Sequence, residues 1–103
     1  MRKLYKETIK KGEDTPWGIA QTVEDIAPGI QFITTASHGG FKLSAIRRGQ
    51  MPEVWRNKQT FAGDNWYEED CDAALVVASF PQFFKPETVE NCKSYLRKTS
   101  TLV

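Results

Sequence analysis

The stretch that most constrains the fold is Ile30-Gln31-Phe32-Ile33-Thr34-Thr35-Ala36, in which every position except Gln31 and Ala36 is β-branched or aromatic. Such side chains favour a pleated strand. Turn chemistry brackets it: Ala27-Pro28-Gly29 has Pro at i+1 and Gly at i+2 of a type II turn, and Ser37-His38-Gly39-Gly40 permits a second reversal. Residues 18–26 alternate roughly between short β-branched and polar side chains, and Phe41-Lys42-Leu43-Ser44 alternates cleanly. Three strands joined by two short turns form an antiparallel meander, and the C-terminal half of the chain must cover one of its faces.

That half reads as helical. Ser44 is a good N-cap for a short helix over 45–50, and Pro52 can occupy the first turn of a second carrying Val54 and Trp55. Residues 57–64 read as a surface loop with Phe61 as an anchor. Asn65 with Glu68 three residues on makes a capping-box pattern for a long helix. Its apolar face would be Tyr67, Cys71, Ala74, Leu75 and Ala78, widened by Ala73, Val76, Val77 and Phe80, before Pro81 ends it. Phe83 and Phe84 anchor the connection, and Pro86-Glu87 opens a last helix with Val89, Cys92, Tyr95 and Leu96 on one side. The expectation is an α+β fold: a three-stranded antiparallel sheet followed by three or four helices packed on one face. Residues 1–14 form a basic arm in which Leu4, Tyr5 and Ile9 are too sparse for a buried face; residues 15–97 form one compact domain, and 98–103 a frayed tail.

A chain of 103 residues is most simply one domain, and 40% hydrophobic with 26% charged residues is ordinary globular composition. No apolar run approaches the ~20 residues of a membrane span, and Met1 to Lys6 lead into no apolar signal core, so a cytoplasmic protein is expected. Cys71 and Cys92 are too few for a disulfide framework and are expected reduced. The net charge of +1 conceals segregation. Arg2, Lys3, Lys6, Lys10 and Lys11 crowd the start, and Lys42, Arg47, Arg48, Arg56 and Lys58 come later, from the third strand onward. Asp64, Glu68, Glu69, Asp70 and Asp72 form an acidic run. A chain with two poles has no strong overall pull on nucleic acid.

His38 is the single histidine, and a histidine at a strand end is the natural acid–base candidate. Its weak partners for catalysis are Asp70 and Cys71. A helical Glu68-Glu69-Asp70-Cys71 would diverge its carboxylates, so no ready acid–base pair results. Structural zinc sites need paired ligands at close spacing, which the chain lacks, so no metal and no cofactor is expected. The basic residues Lys42, Arg47, Arg48, Arg56 and Lys58, interleaved with Phe41, Trp55 and Phe61, offer an alternative nucleic-acid face.

Together Thr15-Pro16-Trp17-Gly18, Ala27-Pro28-Gly29-Ile30, Thr35 to Gly40 with Leu43-Ser44, Met51-Pro52, Trp66-Tyr67-Glu68-Glu69-Asp70 and Phe80-Pro81 resemble an uncharacterised domain family of phage, plasmid and bacterial mobile-element proteins. The resemblance covers roughly residues 15–84 and brings no established chemistry. It implies an accessory protein of a mobile element, and it prompts the pairing of Ser37, His38, Gly39 and Gly40 with Trp66, Tyr67, Glu68, Glu69 and Asp70 as one binding site.

The leading expectation is therefore a small non-enzymatic protein that docks on a host or nucleoprotein partner, an inhibitor of a host defence system being one concrete form. DNA or RNA binding through the 42–58 basic stretch is the alternative. A small hydrolase centred on His38 is the third reading.

Overall fold

The computed structural model describes residues 5–58, 60, 63, 65–70 and 72–99. The fold is α+β. A two-stranded hairpin, β1 (Asp14–Thr15) and β2 (Gly18–Ile19), precedes a four-stranded antiparallel sheet of β3 (Thr22–Ala27), β4 (Ile30–Thr34), β5 (Gly39–Leu43) and β6 (Trp66–Glu68), in that spatial order. Two short helices, α1 (Ala45–Gly49) and α2 (Glu53–Arg56), lie between β5 and β6. Helix α3 (Ala73–Ser79), a 3-10 turn at Pro81–Phe83 and α4 (Pro86–Lys98) complete the chain.

The Pro28-Gly29 turn forms as expected. Gly29 has φ +80°, and an added Cβ there would lie 2.5 Å from Ser44 Oγ, so both backbone conformation and space require glycine. Ser44 caps α1, its hydroxyl accepting from Arg47 N at 3.1 Å. Pro52 opens α2, in which Trp55 is buried.

Four expectations are corrected. The sheet has four strands rather than three, because Trp66-Tyr67-Glu68 pairs with Lys42-Phe41-Gly40 instead of opening a helix. Asn65 is not an N-cap: its φ is +72°, whereas a cap residue is extended, and Asn tolerates the left-handed region better than other non-glycine residues. The expected helix over 65–80 is thus a strand, a turn in which Asp72 N bonds Glu68 O, and the seven-residue α3. Gly39 and Gly40 are strand residues, not turn residues; the reversal is made by Thr35 to His38, with Thr35 N donating to His38 O at 2.9 Å. The first strand also divides, Gly18–Ile19 pairing with β1 while Thr22–Ala27 joins the sheet.

Strand alternation sorts the sheet into two sets of rows. Glu24, Phe32, Phe41 and Tyr67 align across β3 to β6, as do Ala27, Ile30 and Leu43 across β3 to β5. Phe41, Tyr67, Ile30 and Leu43 share one apolar cluster with Leu75, Val76, Val77 and Phe80 of the α3 region and Val89 and Leu96 of α4. The intervening rows are Asp25, Gln31, Lys42, Trp66 and Val23, Ile33, Gly40, Glu68. On these rows Ile33 and Trp66 form a second cluster with Ile9 and Ala20, flanked by Tyr5, Trp17 and Val23.

Contrary to the expectation of an arm without a buried face, Ile9 is 2% exposed. The Gln31 carboxamide clasps its backbone, accepting from Ile9 N at 2.9 Å and donating to Ile9 O at 2.8 Å. A side chain here replaces a neighbouring strand. The expectations concerning Leu4, Phe61 and Cys71 lie outside the described residues, as does the tail beyond Thr99.

Candidate functional site

The two stretches singled out for a site do meet. Glu69 N donates to Gly39 O at 2.9 Å, and His38 Nδ1 lies 3.7 Å from Glu68 Oε1. Gly40 allows this approach: a Cβ at that position would stand 2.8 Å from the Trp17 ring and 2.9 Å from Glu68 Cα, and would overlap the Tyr67 carbonyl. The glycine pair therefore serves close backbone contact rather than positive φ. Trp17 is set by its own turn. Thr15 Oγ1 donates to Gly18 O at 2.7 Å, and the Trp17 carbonyl accepts from Thr35 Oγ1 at 3.2 Å and Ser37 Oγ at 3.3 Å. Its ring meets Trp66 edge-on at 5.4 Å.

Burial divides the nine expected binding residues. Gly39, Gly40, Trp66, Tyr67 and Glu68 are buried and hold the junction together; Ser37, His38, Glu69 and Asp70 are exposed beside it. For catalysis, the carboxylate at His38 is that of Glu68 and not the expected Asp70, whose backbone N–H instead donates to Glu68 Oε2 at 2.9 Å. Cys71 lies outside the described residues. Among those residues no group of three or more His, Cys, Asp or Glu is placed to hold a metal ion.

The exposed acids lead into a groove. Glu69 and Asp70 line a cleft of about 400 Å³ together with Ala73 and Ala74 of α3 and Thr88, Asn91, Cys92 and Tyr95 of α4. Tyr95 is 44% exposed, although helical spacing assigns it to the packed side of α4. Burial pushes the Cys92 thiol above its ordinary pKa, which disfavours the thiolate. Thr88 and Asn91 carry no sequence signal as site residues; only the closeness of α3 and α4 brings them in.

The basic stretch is dispersed into structural work. Arg47 donates to Pro28 O at 2.8 Å and stacks over Phe83 at 5.1 Å. Arg48 donates to Arg56 O, and Arg56 to Gly49 O, at 3.0 and 3.2 Å. Lys58 is exposed. Lys42 is 4% exposed, its Nζ donating to Leu43 O at 2.9 Å and lying 5.4 Å from the Trp66 ring centre. It cannot share a phosphate-contacting surface with the arginines. The alternation of Phe41-Lys42-Leu43 was the available signal, since it sets Lys42 opposite two core residues.

A family described as a domain of unknown function, DUF7007, matches residues 10–101. No curated protein and no solved structure matches the chain. Among the described residues no helix is long and apolar enough to cross a membrane.

Proposed function

We propose for this chain, which belongs to the DUF7007 family, a non-enzymatic role: it binds a partner protein by taking a basic segment of that partner into the groove between the β6–α3 connection and α4. The observation that carries this reading is the groove itself, whose lining combines the exposed Glu69 and Asp70 and the exposed Tyr95 with the small side chains of Ala73 and Ala74, which let a chain approach closely. Two carboxylates select Arg or Lys, and an aromatic wall adds cation–π attraction. In the setting implied by the resemblance, an accessory protein of a phage or other mobile element acting in the host cytoplasm, the partner is a host or nucleoprotein component. Inhibition of a host defence protein is one concrete form.

Calorimetric titration with a short peptide of alternating Arg and Ala tests the reading. Exposed ion pairs contribute roughly 0.2–1 kcal/mol each, so Glu69→Gln combined with Asp70→Asn should weaken binding about two- to thirtyfold. Addition of salt should weaken it further. Equal affinity of variant and parent, or equal affinity for an Asp/Ala peptide, would overturn it.

A further inference from the structure

A second cleft, of about 500 Å³, lies against the sheet face that the N-terminal segment covers, and its lining includes Glu7, Thr8, Asp25, Gln31 and Lys42. That volume falls within the range of small-molecule sites. Lys42 is its unusual member. The side chain projects from a central strand and is almost fully buried, and its ammonium is given one hydrogen bond, to a carbonyl. Among the described residues no carboxylate lies within ion-pair distance of it. Glu7 is instead engaged with α1, accepting from Ala45 N at 2.7 Å, and Asp25 accepts from Gln31 Nε2 at 3.0 Å.

A buried ammonium without a paired anion is costly. Burial accordingly depresses the Lys42 pKa, and the charge of Glu7 opposes this only in part. The neutral amine is a nucleophile, and such desolvated lysines form Schiff bases with carbonyl compounds. An anionic ligand would meet the carboxylates of Glu7 and Asp25 on the same walls, whereas a neutral carbonyl would not.

We propose that Lys42 is the amine of a site that takes a small neutral aldehyde or ketone as a reversible imine. The amine attacks the carbonyl carbon and forms a C–N bond. The carbonyl oxygen collects two protons and leaves as water, and addition of water reverses the sequence with no change of oxidation state. Glu7 and Asp25 are the wall carboxylates available for the proton transfers. This site is separate from the groove, and it stands or falls independently of the partner-binding role.

Propanal with cyanoborohydride, which reduces an imine to a stable secondary amine, tests the assignment when combined with peptide mass mapping. At neutral pH the folded protein should be labelled faster at Lys42 than at the exposed Lys58, Lys85 and Lys98, and the preference should vanish in urea. Labelling of Lys42 no faster than these three would overturn it, as would a preference that persists in the unfolded chain. Neither outcome depends on whether a Lys42 variant folds.

Discussion

On the helix-facing rows of the sheet, Ile30, Leu43 and Tyr67 are at most 1% exposed and meet aliphatic and aromatic side chains of α3 and α4. On the opposite rows Gln31, Lys42 and Glu68 are buried almost as deeply, at 4–5%, yet each carries a group that needs a polar partner. The first face draws its stability from area removed from water, about 25 cal/mol per Å². The second draws less, because every buried polar group spends part of that gain on desolvation. Its cover is a segment of irregular backbone, fastened to the sheet by Gln31 at Ile9 and tied within itself by an ion pair between Lys6 and Glu13.

The largest effect on the polar face is expected from Gly40→Ala, which drives a methyl into Trp17 and the β6 backbone. It should cost about 3 kcal/mol, a fall in Tm of roughly 12–24 °C by thermal unfolding. Gly49→Ala, with nothing within 4 Å of the new methyl, should leave Tm within a few degrees. If the two behave alike, the close approach of β5, β6 and the Trp17 hairpin is not what holds this face.

Gln31→Leu keeps the bulk but removes both bonds to Ile9 and the one to Asp25. Leaving the buried Ile9 amide and carbonyl without these partners should cost about 2 kcal/mol in urea unfolding. It should also speed hydrogen exchange of the Ile9 amide far more than that of amides in α3 or α4. Uniform acceleration would mean that the N-terminal segment and the helices open as one unit.

Lys42→Met should be stabilising at pH 7, by about 1 kcal/mol, since a charge is replaced by an apolar group of similar size. The pH dependence has a definite sign. Burial holds the Lys42 pKa in the folded state below its ordinary 10.5, so the unfolded chain binds the proton more tightly. The parent protein therefore gains stability as pH rises from the depressed value toward 10.5, and the advantage of Met narrows over that window. A constant difference from pH 7 to 10.5 would show that Lys42 is not desolvated.

The smallest effect belongs to Glu13. Hydrogen bonds from the Lys6 side chain and the Lys10 backbone amide hold its carboxyl below the ordinary 4.5. Its contribution is present above pH 4.5 and lost as pH falls through the lowered value. Glu13→Gln should flatten that part of the acid limb of the stability curve, so that the variant is slightly less stable than the parent at neutral pH and the two converge as pH falls through the lowered value.

Much of the frame was legible because it rests on local chemistry. The Pro28-Gly29 turn, the Ser44 cap, the Pro52 and Pro86 helix starts and the β4 strand each derive from a few neighbouring residues. The fourth strand was not legible. Glu68-Glu69-Asp70 before an apolar run imitates a helix start, and only the flat backbone at Gly39-Gly40, 26 or more residues earlier in the chain, makes a strand at Trp66 the better solution. Local propensity yields there to a long-range pairing. The junction of His38 with Glu68 was foreseen as a meeting of two stretches, but its chemistry was not, because a strand points Glu68 where a helix would have pointed Asp70. Gln31, the one residue of β4 that is neither β-branched nor aromatic, was the visible trace of the clasped N-terminal segment.

The most direct test of partner binding through the acidic groove is a titration of the isotope-labelled protein with the Arg/Ala peptide, monitored through backbone amide chemical shifts. Changes should be concentrated at residues 69–74 and 88–95, with Gln31 and Lys42 on the other face unmoved. Shifts centred on the cleft at Gln31 and Lys42 instead, or no shifts at saturating peptide, would contradict it.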